Sequence, residues 1–195
     1  MAMKVSLIRI PTIIDFSAST APVTPPIGLA YLKRIVSEFT NEIQVIDSVG
    51  NFPKIRTIDD DGEFPITLLG QSKDQIANLL AKDTEIILVS CMFSQDWDYA
   101  KQVFKEIRLK CPKSMIIAGG EHITALPKYS METAPEIDVC VLGEGETTLK
   151  NILQSIESHD SINKNLPGTC LRDVDGKIIQ NKMQSRIKDL AGSPW

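Results

Sequence analysis

The chain has 195 residues, of which 43% are hydrophobic and 24% charged, a composition that is ordinary for a soluble globular protein. This length predicts one domain with a small addition. The net charge of −4 and the lack of a Lys/Arg cluster do not favour nucleic-acid binding. No apolar run approaches the roughly 18 residues of a membrane span, and the N-terminus leads into a strand pattern instead of a signal peptide.

Five short apolar segments alternate with helical patterns along most of the chain. The strand segments are residues 5–10, 42–47, 85–90, 115–118 and 138–142. The helical segments are residues 25–39, 72–81, 96–110, 121–133 and 147–158. This alternation predicts an α/β domain whose parallel sheet has five strands, helices on both faces and right-handed crossovers.

Two helices show clear buried stripes. In the helix over 96–110, the residues expected to face the core are Tyr99, Ala100, Val103, Phe104 and Ile107. In the helix over 72–81, Ser72 is the expected N-cap, and the inward residues are Ile76, Leu79 and Leu80.

Two stretches lack regular patterns. Residues 12–25 are rich in Ser, Thr, Ala and Pro and predict a long irregular loop, either a functional loop or a mobile surface one. Residues 49–70 are interpreted as an insertion. Its acidic cluster, residues 59–62, lacks the ligand spacing of an EF-hand and predicts a solvated turn.

A β-hairpin is expected near the C-terminus. Residues 168–174 and 177–181 flank Asp175-Gly176, a strong turn signal. Residues 186–195 have little pattern and are interpreted as a tail or linker. The predicted domain organisation is therefore a sheet domain over residues 1–160, followed by a hairpin and linker over residues 161–195.

The four cysteines, Cys91, Cys111, Cys140 and Cys170, are widely separated in the sequence. Zinc and iron–sulfur sites use closely spaced pairs instead. The wide spacing of the four cysteines predicts free thiols, buried or half-buried, in a reducing cytoplasm. We expect no metal site built from this chain's side chains.

Small or polar residues follow three of the strands, where a parallel sheet binds ligands. They are Ser90-Cys-Met92, Gly119-Gly120 and Gly143-Glu-Gly-Glu146. Paired glycines allow a ligand to lie against bare backbone, although such a pair more often forms a simple turn. The glutamates equally suit the N-terminus of a helix. Together on one edge, the three groups favour a binding site.

Several kinds of site are disfavoured by missing motifs. The chain has no phosphate loop, no dinucleotide glycine fingerprint on its first helix and no Gly-x-Ser-x-Gly elbow. Its two histidines are His122, which either contacts a ligand or caps a helix, and His159, which is expected to be solvated. A hydrolytic triad or multi-histidine metal site is not supported, and we assign no catalytic residue.

The spacing of these groups is similar to that of a known family. Ser90-x-Met92, followed after 26 residues by Gly119-Gly120, resembles the Ser-x-Leu…Gly-Gly signature of cobalamin-binding Rossmann-like domains. Residues 25–32, Pro-Pro-Ile-Gly-Leu-Ala-Tyr-Leu, together with 119–124 and 143–146, look like the N-terminal domain of B12-dependent radical SAM enzymes. The hairpin and residues 190–195 resemble that family's link into its catalytic barrel.

The resemblance implies a flavodoxin-like sheet that holds cobalamin at its carboxyl edge, with the nucleotide tail buried and residues 12–24 near the corrin. The residues it implies as cofactor contacts are Ser90, Met92, Gly119, Gly120, His122, Thr124, Gly143, Glu144, Gly145 and Glu146. Cobalt would arrive with the cofactor. The full-length enzyme would also use S-adenosylmethionine and a [4Fe–4S] cluster. Methyl transfer is the chemistry that the resemblance favours, although cyclisations and rearrangements occur in such families.

The sequence departs from related patterns in two places. The Asp-x-His-x-x-Gly motif of other B12 domains is absent, so the resemblance implies no cobalt-ligating histidine after the first strand. The cysteine triplet of a radical SAM cluster is also absent, so we interpret the chain as a domain whose expected partner is the barrel of a parent enzyme. The alternatives are a docking or regulatory domain of the same fold, or, less favoured, a flavin or nucleotide binder.

Overall fold

A computed structural model describes residues 3–14, 23–58, 65–159, 162–173 and 175–185. Most of the predicted loop over 12–25, the acidic cluster 59–62 and the C-terminal segment 186–195 lie outside the described residues, as does the side chain of His159. In the described part of the chain, no helix is both long and apolar enough to cross a membrane.

The regular elements follow the predicted alternation, with additional short strands. The strands are β1 (Val5–Arg9), β2 (Thr12–Ile13), β3 (Ile43–Asp47), β4 (Ile55–Ile58), β5 (Ile66–Leu69), β6 (Ile86–Ser90), β7 (Met115–Gly119), β8 (Val139–Val141), β9 (Thr169–Arg172) and β10 (Ile178–Gln180). The helices are α1 (Ile27–Val36), α2 (Ser48–Asn51), α3 (Lys73–Leu79), α4 (Trp97–Lys110), α5 (Glu121–Ala125), α6 (Pro127–Thr133) and α7 (Gly145–His159).

The main sheet has seven strands in the order β10-β9-β8-β7-β6-β1-β3. The five strands from β8 to β3 are parallel, which confirms the predicted α/β fold. The hairpin of β9 and β10 is also confirmed, and it continues the main sheet because β9 pairs antiparallel with β8. The carboxyl ends of the parallel strands form one edge, where Ser90 pairs with Arg9 on one side and Gly119 on the other.

Helices cover both faces of this sheet. Alternate strand residues point to opposite faces, so Ile8 and Ile87 contribute to one buried cluster, and Leu7 and Leu88 to the other. The first cluster includes side chains of α3 and α4, and we call this side the packed face. The second includes side chains of α1 and α7 and is called the cavity face. The stripe predicted for α4 is buried as expected.

The interpretation of residues 49–70 as irregular is wrong. A second, antiparallel sheet of three strands forms there, in the order β2-β5-β4. Its outer strand β2 comes from the predicted loop and pairs Thr12 with Leu69. These strands have only two to four residues, which is too short for a recognisable periodicity. The pairing of β2 with β5 joins segments that are distant in sequence, so no local pattern predicts it.

The prediction that Leu79 faces inward is also wrong, since 45% of this residue is exposed. Helix α3 ends at Leu79, and the backbone of Leu80 is extended. Ile76 and Leu80 are buried as predicted, so the prediction is wrong only for the last residue of the helix. The predicted cap is confirmed: the Ser72 side chain accepts a hydrogen bond from the backbone N–H of Gln75.

The four cysteines are buried free thiols, as predicted. Burial raises the pKa of each thiol, so thiolate reactivity is suppressed. Among the described residues, no cluster of three or more His, Cys, Asp or Glu side chains could hold a metal ion.

Candidate functional site

A cavity of about 560 Å³ lies on the cavity face, beneath the carboxyl edge of the sheet. Its walls are the sheet and the helices α1 and α7. The apolar side chains that line it are Leu7, Leu88, Ile117 and Val141 from the strands and Leu29, Leu32 and Leu149 from the helices. A cavity of this size and lining is typical of a site for an organic ligand.

The glycine pair has two different roles in the site. Gly119 ends β7 and lines the cavity, and a Cβ placed on it would lie 3.8 Å from the carbonyl oxygen of Val141, in ordinary contact. Its lack of a side chain therefore leaves space open. Gly120 has a φ of 108°, and a Cβ there would lie 2.4 Å from the carbonyl oxygen of Cys91. Gly120 is required by the turn itself.

The turn after β8 completes the mouth of the cavity. All four residues of Gly143-Glu-Gly-Glu146 line it, and α7 begins within them at Gly145. The backbone N–H of Gly143 donates a hydrogen bond to Thr124 Oγ1 at 2.9 Å, which joins this turn to the helix that follows the glycine pair. The two turns therefore form one continuous rim.

The rim is acidic. The ionisable side chains that line the cavity are Glu121, Glu144 and Glu146, and no lysine, arginine or histidine is among the lining residues that the structure describes. Such a mouth disfavours a free pyrophosphate and provides acceptors for amide or other N–H donors.

The structure brings together around the cavity every predicted site residue except His122. His122 is 2% exposed and stacks on Trp97, with ring centroids 4.4 Å apart. Its Nδ1 lies 2.9 Å from Ser94 Oγ, while Nε2 has no partner among the described residues. Burial lowers the pKa of His122 and favours the neutral ring. It supports the glycine turn from the packed face and makes no side-chain cap to α5.

The edge on the packed face is held by a buried carboxylate. Asp96 is 2% exposed, and its Oδ1 accepts a hydrogen bond from the backbone N–H of Ile13 at 2.8 Å. The Gln95 side chain donates in turn to the carbonyl of Ile13 at 2.9 Å. Burial raises the pKa of Asp96 to about 6. Together these contacts attach β2 and the second sheet to the loop after β6.

Sequence reasoning missed two parts of the wall. One is α1, where Gly28, Leu29 and Leu32 line the cavity; the run over 25–32 supports the family resemblance, but its pattern does not predict a place in the site. The other is Met183-Gln-Ser185, which follows β10 and reaches the cavity through tertiary folding. Residues after a hairpin carry no local signal of such a position.

These features define a class of protein: an α/β domain that holds an organic ligand in an apolar cavity at the carboxyl edge of its parallel sheet. The model of the B12 binding domain family matches residues 15–153, and the chain belongs to this family. The resemblance to the B12-binding domains of radical SAM enzymes is confirmed, as the related enzymes and solved structures include proteins of that kind.

Several curated relatives are methyltransferases. Cytidylyl-2-hydroxyethylphosphonate methyltransferase of Streptomyces wedmorensis is 26% identical over 157 residues, which cover 80% of this chain and 29% of the relative. An uncharacterized methyltransferase of Pyrococcus horikoshii is 28% identical over 193 residues, covering 98% of this chain and 37% of the relative. The cobalamin-dependent radical SAM methyltransferase TokK of Streptomyces tokunonensis is 25% identical, with 69% and 19% coverage. The chain thus spans well under half the length of these relatives.

A solved structure shares the fold. The cobalamin-dependent S-adenosylmethionine radical enzyme OxsB, with aqua-cobalamin and S-adenosylmethionine bound, superimposes with a TM-score of 0.61 at 18% identity. The match covers 94% of this chain and 22% of the OxsB chain. The described hairpin and the parallel sheet therefore belong to a fold that occurs as one part of a larger enzyme.

Proposed function

We propose that this domain binds cobalamin, with the nucleotide tail of the corrinoid in the cavity and the corrin ring outside the carboxyl edge. The observation that carries this proposal is the open, apolar space in front of Gly119 in a chain of the B12-binding family. The cavity of about 560 Å³ is smaller than a complete corrinoid, and its size suits a bicyclic base and its linker.

The residues present fit this cofactor. A Cβ on Gly28 would meet no atom within 4 Å, so bare backbone of α1 faces open space, while Gly119 lines the same cavity from the sheet. The aliphatic walls suit the faces of an aromatic base. The glutamates of the rim supply acceptors for the amide side chains that surround a corrin.

In this assignment each group of residues has a definite task. Ser90 and Met92 border the entrance at the end of β6. Gly119 gives the tail a backbone surface, and Gly120 forms the turn that lines the cavity beside it. Thr124 holds the rim by accepting the hydrogen bond of Gly143, and residues 143–146 border the tail from β8. His122 acts indirectly, by positioning the glycine turn against Ser94 and Trp97.

We infer that the domain itself performs no turnover. When bound, cobalamin supplies a cobalt centre that carries a methyl group, and the domain's tasks are to bind and orient it and to exclude water from the tail. The parent enzyme that we propose is a B12-dependent radical SAM methyltransferase, whose barrel, S-adenosylmethionine and iron–sulfur cluster would face the corrin. The names of the relatives support this proposal.

The test uses two corrinoids. The purified chain is mixed with hydroxocobalamin or with cobinamide, which lacks the nucleotide tail; it is then desalted, and the visible spectrum is recorded. We expect near-stoichiometric retention of hydroxocobalamin and at least about tenfold weaker binding of cobinamide, because tail burial supplies much of the affinity.

Two outcomes would contradict the proposal at different levels. Equal retention of the two corrinoids would reject the tail-in-cavity arrangement and leave corrinoid binding in place. A colourless protein with an intact circular dichroism spectrum would favour the alternative function, a docking or regulatory domain without a corrinoid.

A further inference from the structure

The segment that follows the hairpin lies across one side of the cavity. We call residues 181–185 the strap. Its first part is fixed to the sheet: the N–H of Asn181 donates to the carbonyl of Thr169 at 2.9 Å, and the N–H of Gly168 donates to the carbonyl of Lys182 at 2.7 Å. Its last three residues, Met183, Gln184 and Ser185, line the cavity.

Two glycines make room for the strap. A Cβ on Gly143 would lie 3.1 Å from Met183 Cε. A Cβ on Gly168 would lie 2.3 Å from Thr148 Oγ1 on α7 and 3.2 Å from the Cβ of Gln184. Side chains at these two positions would press against the strap. Its course over the rim is therefore built into the turns on both sides of α7.

The part of the strap that reaches the cavity is held weakly. Among the described residues, backbone hydrogen bonds end at Lys182, and Met183 is 53% exposed although it is a large apolar side chain. A methionine adapts its flexible thioether to whatever surface it contacts. A ligand in the cavity would give Met183 the apolar contact that the described residues leave incomplete.

We propose that the strap is a wall of the cofactor site that closes on the bound tail, so that cofactor occupancy fixes the path of the chain beyond the hairpin. This inference rests on the proposed cobalamin binding. A ligand that contacts the strap only when the strap lies against the cavity binds that conformation more tightly, and so increases its population. Met183 and Gln184 are then positioning contacts, and occupancy holds the strap against the rim.

The test is limited trypsin digestion of the 195-residue chain with and without hydroxocobalamin, with cleavage quantified by peptide mass spectrometry. Lys182 is exposed next to Met183, so trypsin can cut between them. Lys177 is exposed at the hairpin turn, does not line the cavity and serves as the internal control. We expect cobalamin to slow cleavage at Lys182 at least about fivefold more than at Lys177.

A pair of variants provides a second readout. Met183→Ala should weaken hydroxocobalamin binding roughly tenfold and abolish the selective protection of Lys182. Leu109→Ala is the matched control, because Leu109 is an exposed apolar residue on α4, across the sheet from the strap. Its binding and protection should equal those of the wild type.

The outcomes are distinct. Retained cobalamin with equal protection at Lys182 and Lys177 would indicate general stabilisation and would overturn the strap proposal alone. Unchanged protection in Met183→Ala would also overturn it. Failure of the wild type to retain cobalamin would overturn the proposed function, and the role of the strap with it.

Discussion

The two faces of the same sheet are built differently. On the packed face, Trp97, Tyr99 and Phe104 are almost completely buried, and the rings of Trp97 and Phe104 lie 6.2 Å apart. On the cavity face, the buried hydrophobic side chains that the structure describes are aliphatic, and the carboxyl end is left open beside Gly119 and Gly145. Both faces arise from the same strands.

Strand β7 shows how the difference is produced. Ile116 and Ala118 point to the packed face, and Ile117 to the cavity face. The next residue on the cavity face is Gly119, which removes a side chain at the last position before the edge. The packed face can therefore hold the strand ends rigidly while the other face leaves space for a ligand, an arrangement that suits a preorganised site.

The largest effect on stability is expected from the packed face. Phe104→Ala should lower the free energy of unfolding by about 3–5 kcal/mol, because it leaves a cavity among fully buried side chains. Urea denaturation measures the loss, with Leu109→Ala as the exposed control, expected within about 0.5 kcal/mol of wild type. If Phe104→Ala lowered the free energy of unfolding no more than Leu109→Ala does, the packed face would not be the rigid side of the sheet.

Gly119→Leu tests the cavity face. The added side chain should fill the open space and weaken hydroxocobalamin binding at least about a hundredfold, or ~2.7 kcal/mol, while stability changes by less than about 1 kcal/mol. Gly119→Ala is the matched variant, because its Cβ meets Val141 at ordinary distances and should leave part of the affinity.

This substitution is a better test than Gly120→Leu, which the sequence alone would suggest as a way to block the tail. A side chain at Gly120 would collide with the backbone of Cys91, so loss of binding there would reflect a broken turn. If Gly119→Leu retained hydroxocobalamin fully, the space beside Gly119 at the end of β7 would not be part of the binding site.

The smallest effect concerns Asp96, at the edge between the packed face and the second sheet. Because burial raises its pKa from 3.8 to about 6, the folded state binds more protons than the unfolded state between these values. The stability that Asp96 contributes is therefore complete below about pH 4 and is lost as the pH rises through about 6.

Asp96→Asn keeps an oxygen that can accept the Ile13 hydrogen bond but does not titrate. From pH 4 to pH 8 the variant should gain about 2–3 kcal/mol relative to wild type, since the pKa is raised by roughly two units and each unit is worth about 1.4 kcal/mol. Urea denaturation at the two pH values measures this difference. Parallel pH profiles would show that the carboxylate is already well solvated.

The sequence predicts well what local periodicity determines. The stripe containing Tyr99 and Phe104 recurs at helical spacing, and the five parallel strands are short β-branched runs, so both were predictable. The rim of the cavity was predictable too, because turns after parallel strands must meet at one edge. The positions of the strand ends and of the glycines that follow them can be recognised directly in the sequence.

The remainder depends on contacts between distant segments. The position of His122 is set by Trp97 and Ser94 on another element, and no local pattern records that stacking. The pairing of β2 with β5 and the position of Met183 beside Gly143 are of the same kind. Leu79 illustrates a different limit: periodicity predicts its face only while the helix continues.

The pairing of β9 with β8 has a practical consequence for moving this domain between proteins. A chain cut near residue 160 would leave the backbone groups of β8 without the partners Thr169, Cys170 and Leu171. Such a bare edge invites pairing with other chains. A transplantable module must therefore include the hairpin, although the cavity and its rim lie mainly in the residues before it.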